Sequence, residues 1–104
     1  MRPVYDTTSP STVSAPVQLF SGDSGANLFS ITVKARASNA VNMYFGFDSG
    51  VASTNGYELQ PNESITLTAA EVRTLKSATI RAKSLWATAA STTAFIDWLM
   101  LLED

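Results

Sequence analysis

Residues 41–67 read VNMYFGFDSGVASTNGYELQPNESITL, and this stretch decides the fold. Val41, Met43, Phe45 and Phe47 alternate with Asn42, Tyr44, Gly46 and Asp48. Period two is the signature of a strand with one apolar and one wet face. Asn55-Gly56 then marks a turn, because both residues tolerate positive φ. Tyr57 and Leu59 are expected to point inward around Glu58. Pro61-Asn62 predicts a second turn, with Pro presetting φ and Asn taking the left-handed position of a type II turn. Ile65 and Leu67 resume the alternation.

The flanks read the same way. Phe29, Ile31, Val33, Ala35 and Ala37 alternate with Ser30, Thr32, Lys34 and Arg36, the cleanest strand pattern in the chain. With the strand from Val41 and the short Ser38-Asn39 link it reads as a hairpin. Val13, Ala15, Val17 and Leu19 form an earlier strand, which Pro16 demotes to an edge because it lacks a ladder donor. Residues 21–25, SGDSG, form a turn. Thr68-Ala69-Ala70-Glu71 matches a capping box and predicts one or two helical turns, with Val72 and Leu75 packing. Ile80 and Ala82, then Leu85, Ala87 and Ala89 after a register change near Ser84, continue the sheet. The closing strand runs from about Thr93 to Leu102. With Asp97 in water, Ala94, Ile96, Trp98 and Met100 face the core and Phe95, Leu99 and Leu101 face outward.

The 104 residues fit one domain. About seven short strands separated by turns predict an all-β fold, an antiparallel β-sandwich of jelly-roll or Ig-like connectivity. It carries one short helical turn and occupies residues 13–104. Residues 1–12 are polar and contain Pro3 and Pro10. They read as an extended N-terminal arm, either frayed or docked on a neighbour.

Composition excludes several chemistries. There is no Cys and no His, so disulfides, Cys/His zinc sites, Cys nucleophiles and Ser–His dyads are impossible within the chain. No cofactor is implied. The nine Asp and Glu residues fall at turns, termini and polar strand faces, and none is placed as a shielded glycosidase acid, so the chain does not read as an enzyme. Asp23 and the Asp48-Ser49-Gly50 loop offer oxygens to a cation, but the acidic loop pattern of a calcium site is missing. Net charge is −2, which argues against nucleic acid as a partner. No apolar run reaches the roughly 18 residues of a membrane span, and the N-terminus lacks a signal-peptide core, so no membrane association is expected.

Three sets of residues are candidates for contact. Phe95, Leu99 and Leu101 on the outside of the last strand form a candidate subunit interface, unless the domain itself covers that face. Lys34 and Arg36, with Arg81 and Lys83, are paired cations suited to an acidic partner surface or simply to guarding strand edges. Tyr44 and Trp86 fall on polar strand faces, where they would stack on sugar rings or fill cross-strand pairs.

The order of strand, glycine turn, NGYELQPNES, ITL, SLWATAAS and a closing apolar strand resembles small β-sandwich virion proteins of tailed bacteriophages. The matching residues are Tyr44 and Gly46; Asn55, Gly56, Tyr57, Leu59, Pro61, Glu63 and Ser64; and Leu85, Trp86, Ala87 and Ala89. The likeness spans residues 41–102. Asn62 stands where glycine is usual, and the link from Leu67 to Leu85 is longer. The resemblance implies a structural virion protein assembled in the host cytoplasm. The leading expectation is a capsid decoration (cement) protein that binds the major capsid protein or other virion proteins as a homo-oligomer, with a trimer favoured. A tail, neck or head-fibre component with carbohydrate or receptor binding is the alternative.

Overall fold

A computed structural model describes residues 2–10, 13–20, 27–68, 70–71 and 84–103. The strands are β1 (Arg2–Thr8), β2 (Val17–Gln18), β3 (Leu28–Ala35), β4 (Met43–Gly46), β5 (Tyr57–Leu59), β6 (Ser64–Thr68), β7 (Trp86–Ala89) and β8 (Ile96–Leu102). They form two antiparallel sheets ordered β1-β8-β3-β6 and β2-β7-β4-β5. The protein is thus an all-β sandwich, and its strand order is that of a jelly roll. Each strand of the first half pairs with its mirror in the second: β1 with β8, β2 with β7, β3 with β6 and β4 with β5. The chain is one long hairpin, with the 47–56 loop at its tip, rolled into two layers.

The two inner faces share one core. Ile31, Val33, Ile96, Trp98, Met100 and Leu102 of the first sheet meet Met43, Phe45, Leu59, Ala87 and Ala89 of the second. Alternation along β8 sets its half: Ile96, Trp98, Met100 and Leu102 are buried, while Asp97, Leu99 and Leu101 face the other way. In the second sheet Met43 lies across from Ala89 and Phe45 across from Ala87. Small residues there leave room for large ones beside them, which lets the layers interdigitate. Each fully buried large apolar side chain contributes about 1.5–3 kcal/mol.

Several expectations are met by detailed geometry. Asn62 has φ 73°, and Glu63 N–H donates to Gln60 O at 2.9 Å, the predicted tight turn. The capping box is reciprocal: Glu71 N–H donates to Thr68 Oγ1 and Thr68 N–H to Glu71 Oε1, both at 3.3 Å. The rest of the expected helix, with Val72 and Leu75, lies outside the described residues, as do Ile80 and Ala82.

Other expectations are corrected. The segment read as an N-terminal arm is, over Arg2–Thr8, an edge strand laid along the whole of β8. Its polar look reflects a strand with one apolar anchor: Val4 packs on the core, and Thr8 Oγ1 accepts from Trp98 Nε1 at 3.0 Å. β3 and β4 are not a hairpin but belong to opposite sheets. Alternation reveals a strand without naming its partner. A bulge between Leu28 and Ser30 buries Leu28 and leaves Phe29 exposed. The strand expected over residues 13–19 shrinks to Val17–Gln18, with Ser14 in the left-handed region at φ 59°. Tyr57 is 55% exposed, because β5 is a three-residue edge strand. Neither Asn55 nor Gly56 has a positive φ. Gly56 is required by space, since a Cβ there would lie 2.8 Å from Tyr44 Cβ and from Val51 Cγ2.

The link from β3 to β4 is held by a contact that no sequence pattern announced. Asn39 Oδ1 accepts from Phe95 N–H at 2.8 Å, and Asn39 Nδ2 donates to Phe95 O at 2.9 Å. The buried amide imitates one rung of a ladder just before β8. Asn39→Ala leaves Phe95 N–H unpaired, while Phe95 O keeps Arg36 N–H at 3.1 Å, so the cost is about 1–3 kcal/mol for the one orphaned donor. Denaturant unfolding monitored by Trp fluorescence should show that loss, and an unchanged midpoint would mean water replaces the clamp without penalty.

Candidate functional site

The outer face of the first sheet follows from the registers. Tyr5, Leu99, Thr32 and Thr66 lie side by side across β1, β8, β3 and β6, and Pro3, Leu101 and Ser30 form part of the next row. Tyr5 is 78% exposed and Leu99 43%, while Leu101 is half-buried. The expected outward placement of Leu99 and Leu101 therefore holds, and Tyr5 joins them. Tyr5 escaped notice because the pattern of residues 1–12 gave no partner strand. Phe95 is half-buried before the start of β8, its ring 5.0 Å beneath the Arg36 guanidinium.

A polar network borders this face. Arg36 donates from Nη2 to Asp97 Oδ1 at 2.9 Å and from Nε to Asp97 Oδ2 at 3.2 Å, a bidentate pair. Thr7 Oγ1 donates to Asp97 Oδ1 and accepts from Arg36 Nη2. The network ties β1, the end of β3 and β8 together. Hydrogen bonding from Arg36 holds the Asp97 carboxyl below its usual range against a smaller opposing effect of burial, with Thr7 adding to the lowering. The same bond raises Arg36.

This changes the basic set. Arg36 is engaged by Asp97, Thr7 and Phe95 rather than offered to a partner. Lys34 is exposed on the same face, across from Asp97 and Ser64. Arg81 and Lys83 lie outside the described residues.

The outer face of the second sheet holds Tyr44, Trp86 and Thr88. Tyr44 lies across from Thr88, and Trp86 across from Gly46, so the two aromatics are diagonal neighbours, both half-buried. They are not brought to one recess. A hollow of about 200 Å³ is lined by Tyr44, Thr88, Ser14, Ala52 and Ser53, without Trp86. Thr88 is 3% exposed, and its Oγ1 has no hydrogen-bond partner among the described residues. Tyr44 OH donates to Glu58 Oε2 at 3.3 Å.

The hairpin-tip loop covers part of this face. Val51 is buried and seated on Gly46, where a Cβ would come within 2.8 Å of its Cγ2. Asn55 Oδ1 accepts from Ala52 N–H at 2.8 Å, and its Nδ2 donates to Gly50 O at 3.2 Å. Asp48 Oδ1 accepts from Gly50 N–H at 2.8 Å, the usual use of an Asp in a turn. A cleft of about 370 Å³ opens between this loop and Tyr57. Among the described residues no group of three or more carboxylates is gathered; Asp23 lies outside them.

No protein-family model, curated protein or solved structure matches the chain.

Asp97 titrates with a consequence for stability. Its pKa is lowered in the folded state from the ordinary 3.8, so its contribution is complete above that value and is lost as pH falls through the lowered one. Asp97→Asn should cost less than about 1 kcal/mol near neutral pH, because the pair is partly solvated. The variant should also lose less stability than the parent below the ordinary aspartate value. Parallel acid-unfolding curves for the two proteins would contradict the assignment.

Proposed function

We propose that this protein is a structural component of a tailed-phage particle, a capsid decoration protein that packs with sister copies and binds the assembled shell. The observation that carries the reading is the exposed apolar row of Tyr5 and Leu99 with Leu101 beside it. A sheet face of this kind, rimmed by Thr and Ser, suits a protein contact better than a small-molecule site. The resemblance of residues 41–102 to phage virion β-sandwiches supports the same setting, and the jelly roll is an architecture that capsid proteins use. The fold alone does not choose a task.

In this reading Leu99 and Tyr5 pack against a different patch of the next subunit in a closed ring, with three copies the expectation. Lys34 stands at the border of the face, placed to meet an acidic shell surface. Binding the assembled shell and not its loose subunits shifts the equilibrium toward assembly. The shell supplies the partner, so no cofactor or catalytic group is called on.

The recess beside Tyr44 and Thr88 favours a second reading, a tail, neck or head-fibre component that holds a carbohydrate. An aromatic wall and an unpartnered hydroxyl are the elements such a site uses. Trp86 lies outside the hollow, which weakens that reading relative to the first.

Leu99→Asp places a charge at the centre of the apolar row. Sedimentation velocity should show the three-copy species lost, while far-UV circular dichroism and the thermal midpoint stay close to the parent. A variant that remains fully oligomeric would remove this face from the assembly contact.

A further inference from the structure

Among the described residues the two four-stranded sheets leave four edge strands, β1 and β6 in one sheet and β2 and β5 in the other. An edge presents unpaired N–H and C=O groups to any strand that approaches, and native proteins block such edges with charge, proline, bulges or brevity. Three of these edges are blocked. β1 contains Pro3, which has no donor, and Thr7 N–H is taken by the side chain of Asp6 at 2.7 Å. β2 is two residues long and follows Pro16. β5 is three residues long, carries Glu58 at its centre and runs into Pro61.

β6 is the least guarded among the described residues: only its last outward donor, Thr68 N–H, is taken, by Glu71 Oε1 at 3.3 Å. It is five residues long, Ser64-Ile65-Thr66-Leu67-Thr68, with no charge and no proline. Its register with β3 runs without a bulge from Ser64 to Thr68. Ala35 N–H donates to Glu63 O at 2.9 Å, so alternation turns the backbone groups of Ile65 and Leu67 toward β3 and those of Ser64 and Thr66 toward the open side. Ser64, Thr66 and Thr68 are exposed.

We propose that β6 is a self-pairing edge: two copies of the chain join antiparallel across a two-fold axis at Thr66, fusing their first sheets into one eight-stranded sheet. The partner is a second copy because the strand is self-complementary about that axis. Thr66 meets Thr66 of the second copy, Ser64 N–H meets Thr68 O while Thr68 N–H stays with Glu71, and Ile65 meets Leu67, which continues the apolar inner face across the junction. Thr32 Oγ1 and Thr66 Oγ1 lie 2.8 Å apart, so the outer-face threonine row extends from β3 through both copies of β6, and Thr pairs favour adjacent strands. The register sets neither Glu63 nor Glu71 opposite another acid. Isologous pairing of this kind closes at two copies and exposes no further β6 edge. It does not depend on a virion setting, and it uses a different surface from Leu99.

Thr66→Pro deletes the outward N–H without removing a donor to β3, and Thr66→Lys keeps the amide but sets two cations against each other at the axis. Sedimentation equilibrium over a wide concentration range, with Leu99→Asp present to remove the face contact, should show a monomer–dimer equilibrium when Thr66 is intact, with association lost or weakened at least tenfold in both Thr66 variants. Far-UV circular dichroism and Trp fluorescence report whether each variant is folded; if the proline variant unfolds, the lysine variant carries the test. Amide exchange at Ser64 and Thr66 should slow with rising concentration in the parent alone. A parent that stays monomeric throughout, or an association untouched by either folded variant, overturns the proposal. Association abolished by Leu99→Asp but insensitive to both Thr66 variants would overturn β6 pairing while leaving the face contact intact.

Discussion

The mirror pairing of the two halves of the chain is the constraint on which the rest of the molecule depends. With β4 and β5 closed around the 47–56 loop, each earlier strand pairs with its counterpart further along, ending with β1 on β8. Apart from β4 to β5, successive strands lie in opposite sheets, so the inner faces cannot form independently. β8 shows the consequence. It lies between β1 and β3, gathers Trp98 and Met100 into the core, and depends on partners from the start of the chain. Such distant pairings must be closed before their burial stabilises anything, which makes the topology a slow-folding one. The loop at the tip is correspondingly fixed: Val51 sits on Gly46, and Gly56 gives the returning chain room beside Tyr44.

What the sequence made legible was local. The alternation of β8 placed Trp98 and Leu99 on opposite faces because side chains along a strand have no other choice. Asn62 and the Thr68–Glu71 box were readable because backbone angle and hydrogen-bond chemistry are properties of a few adjacent residues. Partner choice was not readable. The runs of β3 and β4 look like a hairpin, yet they stand in opposite layers, because period two is the same whichever sheet a strand joins. The Leu28–Ser30 bulge exchanged Phe29 for Leu28, and only the neighbouring strand imposes that shift. The Asn39–Phe95 clamp and the Arg36–Asp97–Thr7 network join residues far apart in the chain. An Asn in a polar link or a Thr in a polar terminus carries no mark of such a contact. Of the surface candidates, Leu99 and Leu101 followed from periodicity alone, while Tyr5 joined them only through the β1–β8 register.

The network also narrows how the surface recognises anything. The bidentate Arg36–Asp97 pair is internal and joins β1, β3 and β8 rather than meeting a partner. Charged residues are 15% of the sequence, and much of the outer sheet surface is Ser and Thr. Apolar contact and backbone pairing are then the stronger means of association, because hydroxyl-rich surfaces discriminate weakly by charge. Among the described residues the protein presents one apolar sheet face and one lightly guarded edge, the two features on which the proposed packing rests. The hollow by Tyr44 is small and holds one aromatic wall, a more modest feature.

The most direct test of the structural role is the number of copies of this chain in purified particles, measured by quantitative mass spectrometry against the major shell protein. A decoration protein should be present in hundreds of copies or in near-stoichiometric ratio to the shell. A count of a few dozen or fewer would move it to a tail, neck or fibre, and absence from the particle would contradict the virion role altogether.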